Sequence, residues 1–124
     1  MATSPPRKLV VKVTCGTEDA ERCNQAFTVA SMAAVSGAEV SLWLTGEAAW
    51  FGVPGRAEAF TLPHAAPLAD LLDAVASLGT VTVCTQCAER RAIRPEDLRE
   101  GVRIAGAAAF AEEILAEGVQ AIVY

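Results

Sequence analysis

Four thiols are the side chains of this sequence best suited to chemistry: Cys15, Cys23, Cys84 and Cys87. The last two form a Cys-x-x-Cys quartet, and this spacing is compatible with three chemistries. These are a redox disulfide within the pair, half of a zinc site that Cys15 and Cys23 complete, and a persulfide that Cys84 carries. Seven residues separate Cys15 from Cys23. Common zinc knuckles have shorter spacings, so four-cysteine zinc binding is the less favoured alternative.

The cellular compartment decides whether such thiols stay free. Residues 1–7 are polar and contain proline, and no apolar stretch follows them, so a secretory signal is not evident. Nor does the sequence hold an apolar run of about 18 residues that would predict a membrane span. We therefore expect a cytoplasmic protein, in which a Cys-x-x-Cys is more often catalytic or metal-binding than a structural disulfide.

Strand and helix patterns alternate along the whole sequence. Runs rich in β-branched residues predict five strands, at residues 8–15, 40–44, 80–84, 102–105 and 119–124. Between them, apolar residues recur at helical spacing, for example at Leu68, Leu71, Leu72, Val75 and Leu78. Because parallel strands need crossover connections, this alternation predicts a three-layer α/β/α sandwich with a mostly parallel five-stranded sheet. We expect a flexible tail at 1–7 and a single domain over 8–124.

This arrangement places all four cysteines near the carboxyl edge of the sheet, where open α/β sheets bind ligands. Cys15 and Cys84 are each predicted to end a strand, and Cys23 and Cys87 lie at the start of the helix that follows. Cys84 has the stronger case as a nucleophile, because unpaired N–H groups at a helix N-terminus favour the thiolate. Arg90 and Arg91, which follow in the same predicted helix, are expected to add positive potential.

A few other residues are candidates for a pocket. His64 is the only histidine and falls in a predicted loop, where it is either an acid/base group or merely solvated. Trp50 and Phe51 lie in the irregular segment 45–56, where they either line a pocket or subunit contact or pack over the sheet edge. The acids Glu112, Glu113 and Glu117 are expected on the solvated face of the last helix.

Composition excludes several classes of protein. The 124 residues are 52% hydrophobic, too apolar for a disordered chain and enough for one compact domain. The formal net charge is -5, and no basic stripe interrupts it, so we expect no nucleic-acid partner. We expect no membrane partner either. Apolar loops and alanine-rich helices in so small a domain favour self-association.

The sequence resembles the DsrE/DsrF-like family of small sulfur-metabolism proteins, most distinctively over residues 81–114, VTVCTQCAERRAIRPEDLREGVRIAGAAAFAEEI. In that family a strand ends in a cysteine, a short helix with basic residues follows, and then a D-L-x-x-G-V turn precedes a helix of small residues. Asp97, Leu98, Gly101 and Val102 match that turn. Residues 16–19 approximate the turn after the family's first strand.

The resemblance implies a DsrE-like α/β/α fold, assembly into trimers or hexamers, and cytoplasmic sulfur relay with donor and acceptor proteins. In relay members a persulfide on the matching cysteine is passed on, which implies that role for Cys84. The other three cysteines depart from the usual single-cysteine pattern. A second thiol at Cys87 would release the carried sulfur as sulfide and leave a disulfide, which suits a reductase or redox sensor.

Three hypotheses follow. The first is a sulfur carrier or sulfurtransferase-like protein without a cofactor, in which Cys84 is the acceptor nucleophile and Cys87 assists or resolves. The second is a module in which Cys15, Cys23, Cys84 and Cys87 bind zinc, or in which the Cys-x-x-Cys pair alone is redox-active. The third is a non-catalytic oligomeric protein that binds a ligand at the Trp50 and Phe51 loop.

Overall fold

Five parallel strands form one sheet in the computed structural model, which describes residues 5–124. The strands are β1 Lys8–Val13, β2 Glu39–Leu44, β3 Thr80–Cys84, β4 Val102–Ala105 and β5 Val119–Val123, in the spatial order β4-β3-β2-β1-β5. The helices are α1 Ala20–Val35, α2 Arg56–Ala59, α3 Leu68–Leu78, α4 Thr85–Arg90 and α5 Ala107–Leu115. The predicted α/β/α sandwich with a five-stranded sheet is confirmed, and every strand pair in it is parallel.

One face of the sheet packs against α1 and α3, and this side holds the main core. Alternate strand residues point into it, which is why the three central strands are so rich in valine and leucine. These core residues are Val11, Val13, Leu42, Leu44, Val81 and Val83. From α1, Phe27 is fully buried and meets the ring of Phe51 edge-on, with the ring centroids 5.7 Å apart.

The opposite face is covered by α5 and is more polar. Trp43 is buried there, and its ring meets Phe110 of α5 edge-on at 5.2 Å. Glu113, also on α5, was expected to be solvated, and that prediction is wrong for this residue. Its Oε2 accepts hydrogen bonds from Trp43 Nε1 at 3.3 Å and from Arg103 Nη2 at 3.4 Å, so the carboxylate faces the sheet. Glu112 and Glu117 are exposed as expected.

The first strand is shorter than predicted. It ends at Val13, two residues before Cys15, so the prediction that Cys15 closes the strand is wrong. The register explains the difference, because Val13 pairs with Leu44, the last residue of β2, and the chain beyond has no strand to pair with on that side. Cys84, by contrast, is the last residue of β3 as predicted.

The irregular segment 45–56 is mostly a 3₁₀ helix, Gly46–Gly52, which crosses the carboxyl edge of the sheet and leads towards α2. Of the predicted tail, residues 1–4 lie outside the described residues. Arg7 is tied to the sheet, since its carbonyl accepts a hydrogen bond from the backbone N–H of Glu39 at 2.8 Å. Within residues 5–124, no helix is both long and apolar enough to cross a membrane.

Candidate functional site

Cys84 lies where β3 passes directly into α4. It is the N-cap residue of α4, with extended backbone angles, and its side chain is half-buried. β4 runs beside it, with Ala105 as its register partner. The cysteine therefore occupies the carboxyl edge of the sheet, at the junction of β3 and α4, and keeps partial access to solvent.

The surroundings of Cys84 favour its anionic form. Burial acts to raise the pKa of this thiol, but hydrogen bonds from the backbone N–H and the thiol of Cys87 and from the backbone N–H of Gln86 act in the opposite direction, as does the charge of Lys12. The stabilising contributions prevail, so the pKa of Cys84 lies below its ordinary value. The thiolate is the nucleophilic form of cysteine, and Cys84 is therefore the better nucleophile at neutral pH.

Cys87 is buried beneath Cys84, in the first turn of α4. Its Sγ accepts a hydrogen bond from the backbone N–H of Gly46 at 3.2 Å. Gly46 has a φ of +54°, and a Cβ at this position would lie 2.4 Å from the carbonyl oxygen of Thr14. Only glycine fits here, where the chain at Gly46 passes close to the backbone of Thr14. In this position the Gly46 N–H points at the Cys87 sulfur.

An ion pair joins the 3₁₀ helix to the helix that carries the thiols. Arg91, just after α4, pairs with Glu47 at 2.8 Å, and its Nη1 donates a hydrogen bond to the carbonyl of Cys87 at 3.1 Å. Of the two arginines expected to add positive potential, Arg90 is exposed, and its side chain makes no hydrogen bond or ion pair within residues 5–124. Arg91 is the one that contacts the thiol segment.

The remaining two cysteines are core residues. Cys23 is fully buried, and burial raises the pKa of its thiol to about 12. The pKa of Cys15 is raised as well, first by burial and then by the charges of Asp19 and Glu18. Both side chains belong to the hydrophobic core, so each behaves as a small apolar residue rather than as a reactive thiol.

The geometry does not support the alternative of four cysteines around zinc. Across residues 5–124, which include all four cysteines, no three or more His, Cys, Asp or Glu side chains form a group that could hold a metal ion. A structural zinc needs four ligands about a common centre. The structure brings Cys84 and Cys87 together and leaves Cys15 and Cys23 in the apolar interior.

The residues proposed for a pocket fall into different places. Trp50 and Phe51 line a cavity of about 160 Å³, in which Arg56 stacks on the Trp50 ring at 4.2 Å. Phe51 is itself a core residue, while Trp50 is half-buried. His64 is exposed and lines a separate cavity of about 420 Å³. Neither cavity includes Arg90, so these four residues do not form one pocket.

Sequence reasoning missed three residues of the thiol site: Lys12, Gly46 and Glu47. Gly46 carries a signal, since a glycine two residues after the end of a strand is typical of a sharp turn at the edge where ligands bind. Lys12 carries a weaker one, as a charged residue inside a strand that is otherwise apolar. Glu47 lies 44 residues from its partner Arg91, and no local pattern indicates that contact.

A sequence model of the DsrE/DsrF-like family matches residues 7–124. The chain belongs to the DsrE/DsrF-like family. The match includes the strand that ends in Cys84 and the D-L-x-x-G-V turn after it, so the resemblance noted in the sequence is confirmed.

Relatives of this DsrE-family chain include proteins without an assigned activity. The uncharacterized protein MJ0760 of Methanocaldococcus jannaschii is 31% identical over 104 residues, which is 83% of this chain and 38% of that protein. The chain thus spans less than half the length of this curated relative.

Two solved structures share the fold. The ychN protein from E. coli has a TM-score of 0.73 at 18% identity, with 95% of this chain and 100% of that chain covered. The protein of unknown function MTH1491 from Methanobacterium thermoautotrophicum has a TM-score of 0.69 at 12% identity, with 95% and 99% covered. At these identities the likeness is one of fold, and function must be argued from the site.

Proposed function

We propose that this DsrE-family protein is a cytoplasmic, thiol-based sulfur carrier in which Cys84 accepts the sulfur. One observation carries the proposal: among the four cysteines, Cys84 alone combines partial exposure with a lowered pKa. The proposal is in keeping with the family, in which sulfur relay is a common role. A reducing cytoplasm would keep the acceptor thiol free between cycles.

Loading requires a donor that holds sulfane sulfur, such as a persulfide. The Cys84 thiolate attacks the terminal sulfur of the donor, a new S–S bond forms at Cys84, and the donor's own sulfur leaves as a thiolate. Delivery repeats the exchange: an acceptor thiolate takes the outer sulfur, and Cys84 leaves as the thiolate. No net oxidation occurs in either step, because one S–S bond is formed for each one broken.

Cys87 provides a second outcome, since its thiol donates a hydrogen bond to Cys84. If its thiolate attacks the Cys84 sulfur, hydrosulfide leaves and a Cys84–Cys87 disulfide remains. The two protein thiols are then oxidised by two electrons, the sulfane sulfur is reduced to sulfide, and a dithiol reductant must regenerate the protein. This route corresponds to the redox alternative of the Cys-x-x-Cys pair.

A sulfur-loading experiment tests the proposal. We expect the reduced protein, treated briefly with a small-molecule persulfide and desalted at once, to gain the mass of one sulfur atom, on the peptide that contains Cys84. On longer incubation the adduct should persist in Cys87→Ser, whereas the protein with both thiols should lose the added sulfur as sulfide and form the disulfide. Intact-mass spectrometry and a sulfide assay measure both, with Cys15→Ser as the matched control. Failure to gain sulfur in either form would contradict the carrier function.

We also propose that the chain forms a homo-oligomer, a trimer or hexamer. The predicted basis, exposed aromatic residues in the segment 45–56, does not hold for Phe51, which is buried. Support comes instead from β5 and α5. β5 is an edge strand without charged residues, and its last residue, Val123, is 61% exposed. Leu115 on α5 is 82% exposed. Uncharged open edges and apolar patches are typical of interfaces.

Sedimentation velocity tests the assembly. We expect the protein to sediment as a multiple of its 12.9 kDa chain mass, and Val123→Lys to shift it towards the monomer because a charge would be buried in the contact. Val35→Lys is the matched control, since Val35 on α1 is similarly exposed, at 68%. A monomer at micromolar concentration would contradict the proposal.

A further inference from the structure

Lys12 places a charge on the same face of the sheet as Cys84. In the register of the strands, Lys12 pairs with Trp43, and Trp43 pairs with Thr82. Cys84 lies two residues after Thr82, so strand alternation puts it on the same face, one row nearer the carboxyl edge. The separation of the backbones is roughly 10 Å across two strand spacings and about 7 Å along the strand, which is roughly 12 Å in all and about twice the reach of a lysine side chain, so the ammonium acts on Cys84 through its charge and not by direct contact.

The ammonium group of Lys12 is held in place by an aromatic ring instead of a carboxylate. Its Nζ lies 4.8 Å from the centroid of Phe110, on the first turns of α5. The side chain is half-buried, and within residues 5–124 no acid forms an ion pair with it. A cation over a ring keeps its full charge and can still attract an anion.

The other charged groups around Cys84 are either paired or solvated. On the same face, Arg103 of β4 pairs with Glu113 of α5 at 3.4 Å. At the sheet edge, Glu47 pairs with Arg91 at 2.8 Å. The remaining charged residues of α4 and α5, which are Glu89, Arg90 and Glu112, are exposed. Among the charged residues described around Cys84, Lys12 is therefore the one that is half-buried and has no ion-pair partner.

We propose that Lys12 is a positioning residue of the Cys84 site, whose ammonium stabilises the anionic sulfur at Cys84 in both the free thiolate and the persulfide. The persulfide part of this role rests on the proposed sulfur-carrier function. The thiolate part does not, because an opposite charge favours the ionised form whatever reaction follows. A persulfide is also an anion once its outer sulfur is deprotonated, so the same charge acts on both forms.

The pH profile of Cys84 alkylation tests this role. We expect Lys12→Met to lower the rate of reaction with the neutral reagent iodoacetamide at pH 7 by about threefold to tenfold and to move the midpoint of the profile to higher pH. Lys12→Arg should restore most of the rate. Lys8→Met is the matched control, because Lys8 lies on the same strand and face but is exposed and about 13 Å further from the carboxyl edge.

The outcomes separate the role of Lys12 from the carrier function. A Lys12→Met profile that superimposes on that of the unchanged protein would overturn the proposal, as would an equal shift in Lys8→Met. Lys12→Gln serves as a second variant if the methionine variant does not fold, and circular dichroism verifies folding in each case. A shifted profile in a protein that takes up no sulfur would support Lys12 while refuting the carrier function. Normal sulfur uptake with an unshifted profile would support the carrier function and refute the role of Lys12.

Discussion

Cys84→Ser is expected to abolish the rapid alkylation of the folded protein at pH 7, with a loss in rate of about a hundredfold or more, and to abolish sulfur loading. The reason is that the other three thiols, Cys87 among them, are buried. Cys23 is fully buried, and with a pKa of about 12 it stays protonated throughout the neutral range. Cys15 is buried, and its pKa is raised as well. A serine hydroxyl does not ionise at neutral pH and cannot replace the thiolate.

Mass spectrometry after brief treatment with iodoacetamide measures this result. The unchanged protein should be labelled first at Cys84, and the rate should rise with pH and level off below the pH at which an ordinary thiol does, because its pKa is lowered. Cys23→Ser is the control and should react like the unchanged protein. Equally fast labelling of Cys84→Ser at any other cysteine would show that the nucleophile is misassigned.

Phe27→Ala is expected to lower the free energy of unfolding by about 3 to 5 kcal/mol. The ring of Phe27 is fully buried and contacts Phe51, which in turn meets Phe60 edge-on with the centroids 5.8 Å apart. Truncation leaves a cavity between α1 and the 3₁₀ helix that a rigid sheet and two packed helices cannot close. Phe51 and Gly46 lie on that same 3₁₀ helix, so the packing also supports the hydrogen bond to Cys87.

Urea denaturation measures the effect, and Met32→Ala on the same helix provides the control. Met32 is 63% exposed, so its truncation should change the free energy by no more than about 0.5 kcal/mol. A loss of less than about 1 kcal/mol for Phe27→Ala would mean that the core around α1 rearranges to fill the cavity.

Much of the architecture was predictable from local pattern. The strands at residues 80–84 and 102–105 have the bounds that were predicted, and Cys84 ends the first of these. The prediction for Cys15 failed, because the end of β1 is decided by where its neighbour β2 stops and not by its own residues. The prediction that Glu113 is solvated failed for a similar reason, since its partners Trp43 and Arg103 come from two strands outside its own helix.

The residues of the candidate site were likewise only partly predictable from the sequence. Cys84 and Cys87 were identifiable because their spacing is local and sits at a strand end. His64, Trp50 and Arg90 were plausible companions by residue type, yet they lie apart from one another. Lys12 and Gly46 come to the thiols from 72 and 41 residues away along the chain, so no window of the sequence contains them together with their partners.

Periodicity and glycine placement alone establish an α/β/α sandwich with a thiol pair at its carboxyl edge, because backbone sterics impose a period of two on strands and 3.6 on helices. The order of the strands, β4-β3-β2-β1-β5, is a property of the packed molecule. That order brings Lys12 and Cys84 to one face, buries Cys15 and Cys23, and pairs Glu47 with Arg91. Packing therefore decides which thiol has a lowered pKa, because burial and neighbouring charges set a pKa and both arise only once distant segments meet.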